Sequence, residues 1–209
     1  VDLITAQIIA DDVLFRLEPA CEPGYCVIAG SVRREAPEVK DIELVYIPRM
    51  VDESLDLFTT APAPMTLRLF ADLIKKGFWQ LDTLVKRDGA KYKRFVHLAS
   101  GIVVELFRAQ PENWGLQLAI RTGPAVFNKI LVDRMHGAMP VDMKMEGGFL
   151  WRRGLRVNTP TERGFFKELD LPWIEPPERT AGRLWEILRD RRASYSKDGN
   201  PPMSNTGPS

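Results

Sequence analysis

The 209-residue sequence predicts an α+β protein: a mixed β-sheet with flanking helices, followed by a smaller α+β unit. Three observations lead there. Apolar residues recur at helical spacing near the start. Short apolar or alternating runs bounded by Gly, Pro and Asp follow. Near residue 110 the pattern changes to two helical stretches and then to glycine-punctuated short segments. The implied division is residues 1–110, residues 111–194 and a tail over 195–209.

The elements follow in order. Residues 2–18 read as a helix, because Ile4, Ile8, Ile9, Val13 and Leu17 recur at helical spacing, and Pro19 with the Glu22-Pro23-Gly24 cluster ends it. Residues 25–29 form a short apolar run that suits a buried strand, and Gly30-Ser31 reads as a turn. Residues 41–47 alternate at first, with Asp41, Glu43 and Val45 on one face, until Pro48 stops the strand. A loop is expected over 49–63. A second helix covers 65–76, closed by Gly77. Residues 80–87 and 91–98 read as strands joined through Asp88-Gly89, a hairpin turn signal. Ser100-Gly101 turns the chain into a strand over 102–108. Residues 112–134 read as helix, a Thr122-Gly123-Pro124 break, and helix again. Gly147-Gly148 and Gly154 imply short strands and turns over 141–157, and 161–169 fits a short helix. Beyond about 195 the chain is polar and rich in Pro, Gly and Ser, which predicts disorder.

Composition excludes several classes. The net charge is +1, so any nucleic-acid surface must be local. No run approaches the apolar length of a membrane span, and the acids within the first residues rule out a signal peptide there. A cytoplasmic protein without a membrane partner is the expectation. Cys21 and Cys26 read as reduced thiols. His97 and His136 read as structural or exposed, and Trp79, Trp114, Trp151 and Trp173 as core.

The chemistry concentrates in three acids. Alternate side chains of a strand share a face, so Asp41 and Glu43 point the same way. Glu105 is the one acid in the otherwise apolar run VVELF, where its charge needs compensation. Three carboxylates from two strands can share divalent cations, and an oxygen-only donor set suits Mg²⁺ or Mn²⁺. A pair of such ions clamps the attacking and leaving oxygens in phosphoryl transfer. Asp-x-Glu alone is equally the solvent face of an edge strand. Gly30-Ser31 and Arg33-Arg34 precede it, however. A Gly-Ser turn lets backbone N–H groups approach a triphosphate, and the Ser31 hydroxyl and Arg34 guanidinium can bind phosphate oxygens. Taken singly, these are also a plain turn and a solvated basic pair.

The segment GSVRREAPEVKDIELVYI (residues 30–47), the later VELF with Glu105, and IRTGPAVFNK (residues 120–129) together resemble the catalytic core of family X (β-type) DNA polymerases. FLWRRG (149–154) and LPWIEPPER (171–179) also resemble that family's closing segments, so the likeness covers roughly residues 5–180. It implies a nucleotidyltransferase palm over 1–110 and a nucleotide- and template-binding subdomain after it. Asp41 and Glu43 would bind two Mg²⁺ or Mn²⁺ ions. Glu105 would hold the catalytic ion beside a primer 3′-hydroxyl. Gly30, Ser31 and Arg34 would cradle the triphosphate of a deoxynucleotide, with Thr122-Gly123 beneath its sugar. Asn128 would reach the base edge in the minor groove, and Lys129 would pack on the template base. Asn128 and Lys129 also fit ordinary helix surface.

Departures from the family are specific. It usually carries Asp where Glu43 and Glu105 stand, and two aromatics where Ile120 and Arg121 stand. Its Asn-Glu-Tyr-Gly segment appears here as Glu146-Gly147-Gly148-Phe149. The likeness starts at the palm, which implies a minimal core without the family's amino-terminal lyase domain. Its DNA contact is then expected from the basic hairpin with Lys86, Arg87, Lys91, Lys93 and Arg94 around Tyr92, which also fits a solvated, charge-protected edge. The resemblance implies a monomeric enzyme adding deoxynucleotides to primer-template or gapped DNA, in gap filling or repair. Transfer to RNA, protein or a small molecule, or a catalytically weak DNA-binding subunit, are the alternatives.

Overall fold

The computed structural model describes residues 1–54, 59–83, 89–137 and 143–197. Helix α1 (Leu3–Leu17) begins at Asp2, whose carboxylate accepts a hydrogen bond from the Thr5 backbone N–H at 3.0 Å. It buries Ala6, Ile9, Ala10, Val13 and Leu17. Ile4 and Ile8, expected on this face, are 76% and 67% exposed. The small Ala6 and Ala10 let the helix lie close to the sheet, and that contact stripe turns the two isoleucines outward.

Five strands form the main sheet in the order β1-β2-β7-β6-β5. They are β1 (Cys21–Ile28), β2 (Asp41–Pro48), β5 (Trp79–Leu81), β6 (Tyr92–His97) and β7 (Val103–Arg108). β2 and β7 run parallel; the other neighbours are antiparallel, so the sheet is mixed. Ile42, Leu44, Tyr46, Val104, Leu106 and Phe95 face a core closed by α1 and by Phe70 and Leu73 of α3 (Met65–Lys75). The opposite face carries Val45, Ile47 and Phe107, covered by Trp114 and Leu118 of α4 (Trp114–Thr122).

Several elements differ from the sequence expectation. Gly30-Ser31 opens a four-residue helix, α2 (Gly30–Arg33), rather than a simple turn. Part of the loop expected over 49–63 is a two-stranded antiparallel ribbon of β3 (Met50–Ser54) and β4 (Thr60–Pro64). Pro62 and Pro64 are tolerated there because both strands of such a ribbon are edges. β5 ends at Leu81, short of the strand expected over 80–87. Lys86, Arg87 and Asp88, with the hairpin turn assigned to them, lie outside the described residues.

The second half is a three-stranded antiparallel sheet with helices beside it. The sheet is β8 (Met143–Glu146), β9 (Phe149–Arg152) and β10 (Leu155–Val157). Its helices are α5 (Ala125–Gly137), α6 (Glu162–Glu168) and α7 (Ala181–Lys197). The sequence reading assigned no helix over 181–194 and a disordered tail from 195. Leu184, Ile187 and Leu188 recur at helical spacing and pack with Phe127, Leu131, Phe165 and Phe166, which carries α7 through Lys197. The rest of that tail lies outside the described residues.

The remaining expectations resolve simply. Trp79 and Trp114 are buried, whereas Trp151 and Trp173 are partly buried. Cys21 and Cys26 are buried free thiols. His97 is buried between Ser100 Oγ, 2.8 Å away, and Asp12, 3.3 Å away; the His136 side chain lies outside the described ones. No described helix is long and apolar enough to cross a membrane.

A buried ionic hub joins the two halves. Glu162, at the start of α6, is 7% exposed. Its carboxylate accepts two bonds from Arg33 of α2, at 3.0 and 2.7 Å, and one from Arg179 at 2.6 Å. Arg179 is 1% exposed, lies beside the Phe166 and Trp173 rings, and donates its Nε to the Ile174 carbonyl. Arg33 also donates to Thr122 Oγ1 at 2.7 Å. Close approach helps this docking: a Cβ at Gly115 of α4 would collide with the Thr161 carbonyl. Removing one partner of a buried pair strands the others, at about 3–5 kcal/mol. Glu162→Ala should therefore lose about that much stability in urea unfolding. A loss below about 1 kcal/mol would show that the hub is not holding the halves together.

Candidate active site

The acids converge because of strand register. In the parallel β2–β7 ladder Glu43 stands opposite Glu105, and Asp41 opposite Val103. Ile42 and Leu44 turn into the core, which forces Asp41 and Glu43 onto the other face. Neighbouring strands lie about 4.8 Å apart and alternate residues about 6.6 Å, so the three carboxylates share one small patch of sheet. α4 covers the neighbouring part of this face, over Val45, Ile47 and Phe107.

Two further elements frame the patch. Gly30 has φ +62° and is packed so tightly on Glu43 that a Cβ there would collide with Glu43 Oε2. The Gly-Ser segment is thus wrapped over the carboxylate it precedes in sequence. The Ser31 Oγ beside it is buried and has no hydrogen-bond partner. Arg34 donates Nη1 to the Thr122 carbonyl at 2.6 Å, which ties this segment to the Thr122-Gly123 turn.

The other side of the patch opens into a cleft of about 1050 Å³. Glu105, Tyr92, Arg94, Phe107 and Arg121 line it, with Gly147, Gly148 and Phe149 opposite. Asn113, just before α4, and Gln117 within it both donate to the Gly148 carbonyl at 3.0 Å and fix that wall.

The electrostatics are crowded. Burial first, then Asp41 and Glu105, push the Glu43 carboxyl up to about 7; Arg121 and Arg34 oppose this. Burial and Glu105 raise Asp41 in the same sense, against Arg94. Glu105 itself is held: Tyr92 donates to its Oε1 at 2.6 Å and Arg94 Nη1 donates to the same oxygen at 3.0 Å. Arg94 also donates Nε to Asp82 at 2.7 Å.

Arg94, expected at the DNA, therefore belongs to the acid cluster. The pleat explains it. Arg94 pairs with Glu105 across the ladder, whereas Lys93 shares a face with the buried Phe95. The side chain of Lys91 is exposed and reaches the Gly147 carbonyl at 3.2 Å. The basic residues expected on one stripe are thus divided between faces.

The residues expected at the base pair are engaged by nearby groups of the chain itself. Asn128 Nδ2 donates to the Ile120 and Gly123 carbonyls at 2.7 and 2.9 Å, so it fastens the Thr122-Gly123 turn. Lys129 is an exposed partner of Asp133 at 3.3 Å.

Sequence reasoning missed Arg121 as a site residue. Its guanidinium lies 3.8 Å from the centroid of the Phe107 ring, and its Nε is buried without a partner. Burial holds its pKa below the usual guanidinium range, against the pull of Glu43 and Glu105. The signal was present: Arg121 follows Leu118 by three residues, so it shares the helix face that packs on Phe107. Asp82 and Arg94 could be placed only by knowing how β6 pairs with β5 and β7.

The donor set suits a hard divalent cation: oxygen only, anionic and mutually repelling. Among the described residues, no three acid, histidine or cysteine side chains are already gathered closely enough to cage an ion. Asp41, Glu43 and Glu105 would hold one only if their side chains turned toward it.

No protein-family model matches the chain, and no curated protein matches it.

The raised Glu43 pKa has a definite sign. From about 4.5 to about 7 the folded state holds a proton that the unfolded chain releases. Stability is fully present below the lower value and is lost as pH rises through the upper one, by on the order of 3 kcal/mol. Glu43→Gln removes this loss. In chelator, the variant should melt several degrees above the parent at pH 8 and lose that advantage at pH 5. Equal melting temperatures at pH 8 would remove the case for repulsion within the cluster.

Proposed function

We propose that the chain is a nucleotidyltransferase of the family X polymerase type, adding deoxynucleotides to a DNA 3′-hydroxyl. One observation carries the transfer chemistry. Glu43 and Glu105 stand side by side on parallel strands, with Asp41 on the same face, under a Gly-Ser segment whose hydroxyl is buried and unpaired.

Asp41, Glu43 and Glu105 would hold Mg²⁺ or Mn²⁺. Such ions, when bound, stabilise the attacking and leaving oxygens. The chain's own groups supply the rest. Ser31 Oγ offers a ready donor to a phosphate oxygen, and Arg34 adds a charge beside it. Tyr92 and Arg94 both engage Glu105 Oε1, which leaves Oε2 to take the proton of the attacking hydroxyl. The Thr122-Gly123 turn, fastened by Asn128 and Arg34, would form the floor beneath the sugar.

The choice of a DNA acceptor rests on the likeness of residues 120–129. A second reading has a specific observation in its favour. Asn128 and Lys129 are bound to Ile120, Gly123 and Asp133 rather than turned outward to a base pair. That arrangement suits transfer to an acceptor chosen without base reading.

Primer extension on gapped DNA, in Mg²⁺ and in Mn²⁺, tests the proposal. The chain should extend the primer, with incorporation following the template base, and Asp41→Ala should abolish product. Template-independent transfer would favour the second reading. Absence of any nucleotide transfer with either metal, or full activity in Asp41→Ala, would refute the site assignment.

A further inference from the structure

The acid cluster is interleaved with arginines. Arg94 is bonded to Glu105 at 3.0 Å and its charge also reaches Asp41. Arg34, on the segment wrapped over Glu43, acts on Glu43 and Asp41. Arg121, stacked on Phe107 in the cleft that Glu105 lines, acts on Glu43 and Glu105. Each carboxylate thus feels two arginines: Asp41 feels Arg34 and Arg94, Glu43 feels Arg34 and Arg121, and Glu105 feels Arg121 and Arg94. Lys40, which is exposed, also acts on Asp41, and Asp82 accepts a bond from Arg94.

The guanidiniums offset much of the carboxylates' charge. A divalent cation arriving alone meets three arginines as well as three acids. A polyphosphate arriving alone meets the acids. The two together satisfy both sets, because like charges in a partly buried site cost more than in water.

The three arginines are not equivalent. Arg34 is bonded to the Thr122 carbonyl, and Arg94 to Asp82 and Glu105. Arg121 is anchored by its stack on Phe107, and its buried Nε has no acceptor. A buried donor without a partner is costly, and an anionic oxygen would relieve it. We infer that Arg121, held in the cleft beside Glu105, is a positioning residue that makes divalent-cation binding at Asp41, Glu43 and Glu105 depend on a bound polyphosphate. This rests on the nucleotidyl-transfer reading and adds to it a residue that couples metal to nucleotide.

Equilibrium dialysis of Mn²⁺ tests it, with the full chain on one side and the α,β-methylene analogue of a deoxynucleoside triphosphate present on both sides or absent. The parent should retain little Mn²⁺ alone and clearly more with the analogue. Arg121→Met should bind Mn²⁺ alone about tenfold more tightly or better, since one like charge is gone. Arg121→Lys keeps the charge and should behave as the parent; thermal melts confirm that each variant is folded. Tight Mn²⁺ binding by the parent without the analogue would overturn the inference while leaving the metal site intact. So would unchanged binding in Arg121→Met. Absence of excess Mn²⁺ on the protein side in every condition would overturn both the inference and the metal-dependent reading. The analogue dependence of the parent decides the matter even if Arg121→Met does not fold.

Discussion

The structure depends on β2 and β7 running parallel with Glu43 opposite Glu105. Strand periodicity allows no partial solution here. Ile42, Leu44, Val104 and Leu106 fill the core beneath α1 and α3, so the residues between them must face the other way. A slip of one residue in either strand would drive a carboxylate into that core and lift a leucine out of it. The hydrophobic requirement thus fixes the position of the charged groups. A parallel pair also needs a long crossover. Here the crossover contains α3 and β5 and returns as β6, which brings Arg94 against Glu105.

The sequence was informative where a signal is local. Alternation in DIELVYI and the solitary charge in VVELF located the acids, because burial of Ile42 and Leu44 on one side leaves little choice for Asp41 and Glu43. Helices punctuated by Gly77 and Gly123 were legible for the same reason. What stayed hidden depends on pairing. Arg94 looked like part of a basic hairpin because composition cannot say which face a residue takes once its partner strand is unknown. Arg33 and Arg34 look alike in sequence, yet Arg33 reaches Glu162 and the Thr122 hydroxyl, and Arg34 the Thr122 carbonyl. Asn128 looked like a surface reader because its two carbonyl acceptors lie five and eight residues away, across a turn. The helix α7 was obscured by its many charged residues, although Leu184 and Leu188 carry the required spacing.

The site is held against its own preference. Glu43 is pressed beneath Gly30, close to Asp41 and Glu105, in surroundings that favour its neutral form. Only glycine can occupy position 30 while that carboxylate stays where it is. The surrounding core supplies the stability that this arrangement forfeits, a pattern common where charge is gathered for chemistry. The arginines moderate the conflict without abolishing it.

Arg33 and Arg34 grip one residue at two points, the hydroxyl and the carbonyl of Thr122. A single bond between two bodies is a pivot. Two bonds from adjacent side chains leave only rotation about the line that joins them, as two pins through a plate do. Because Arg33 continues to Glu162 and through it to Arg179, the joint is braced from a third direction. Any swing of α4 relative to the sheet must therefore shear both bonds at Thr122 at once. The Gly-Ser segment and the Thr-Gly turn would move as one rigid part or come apart together.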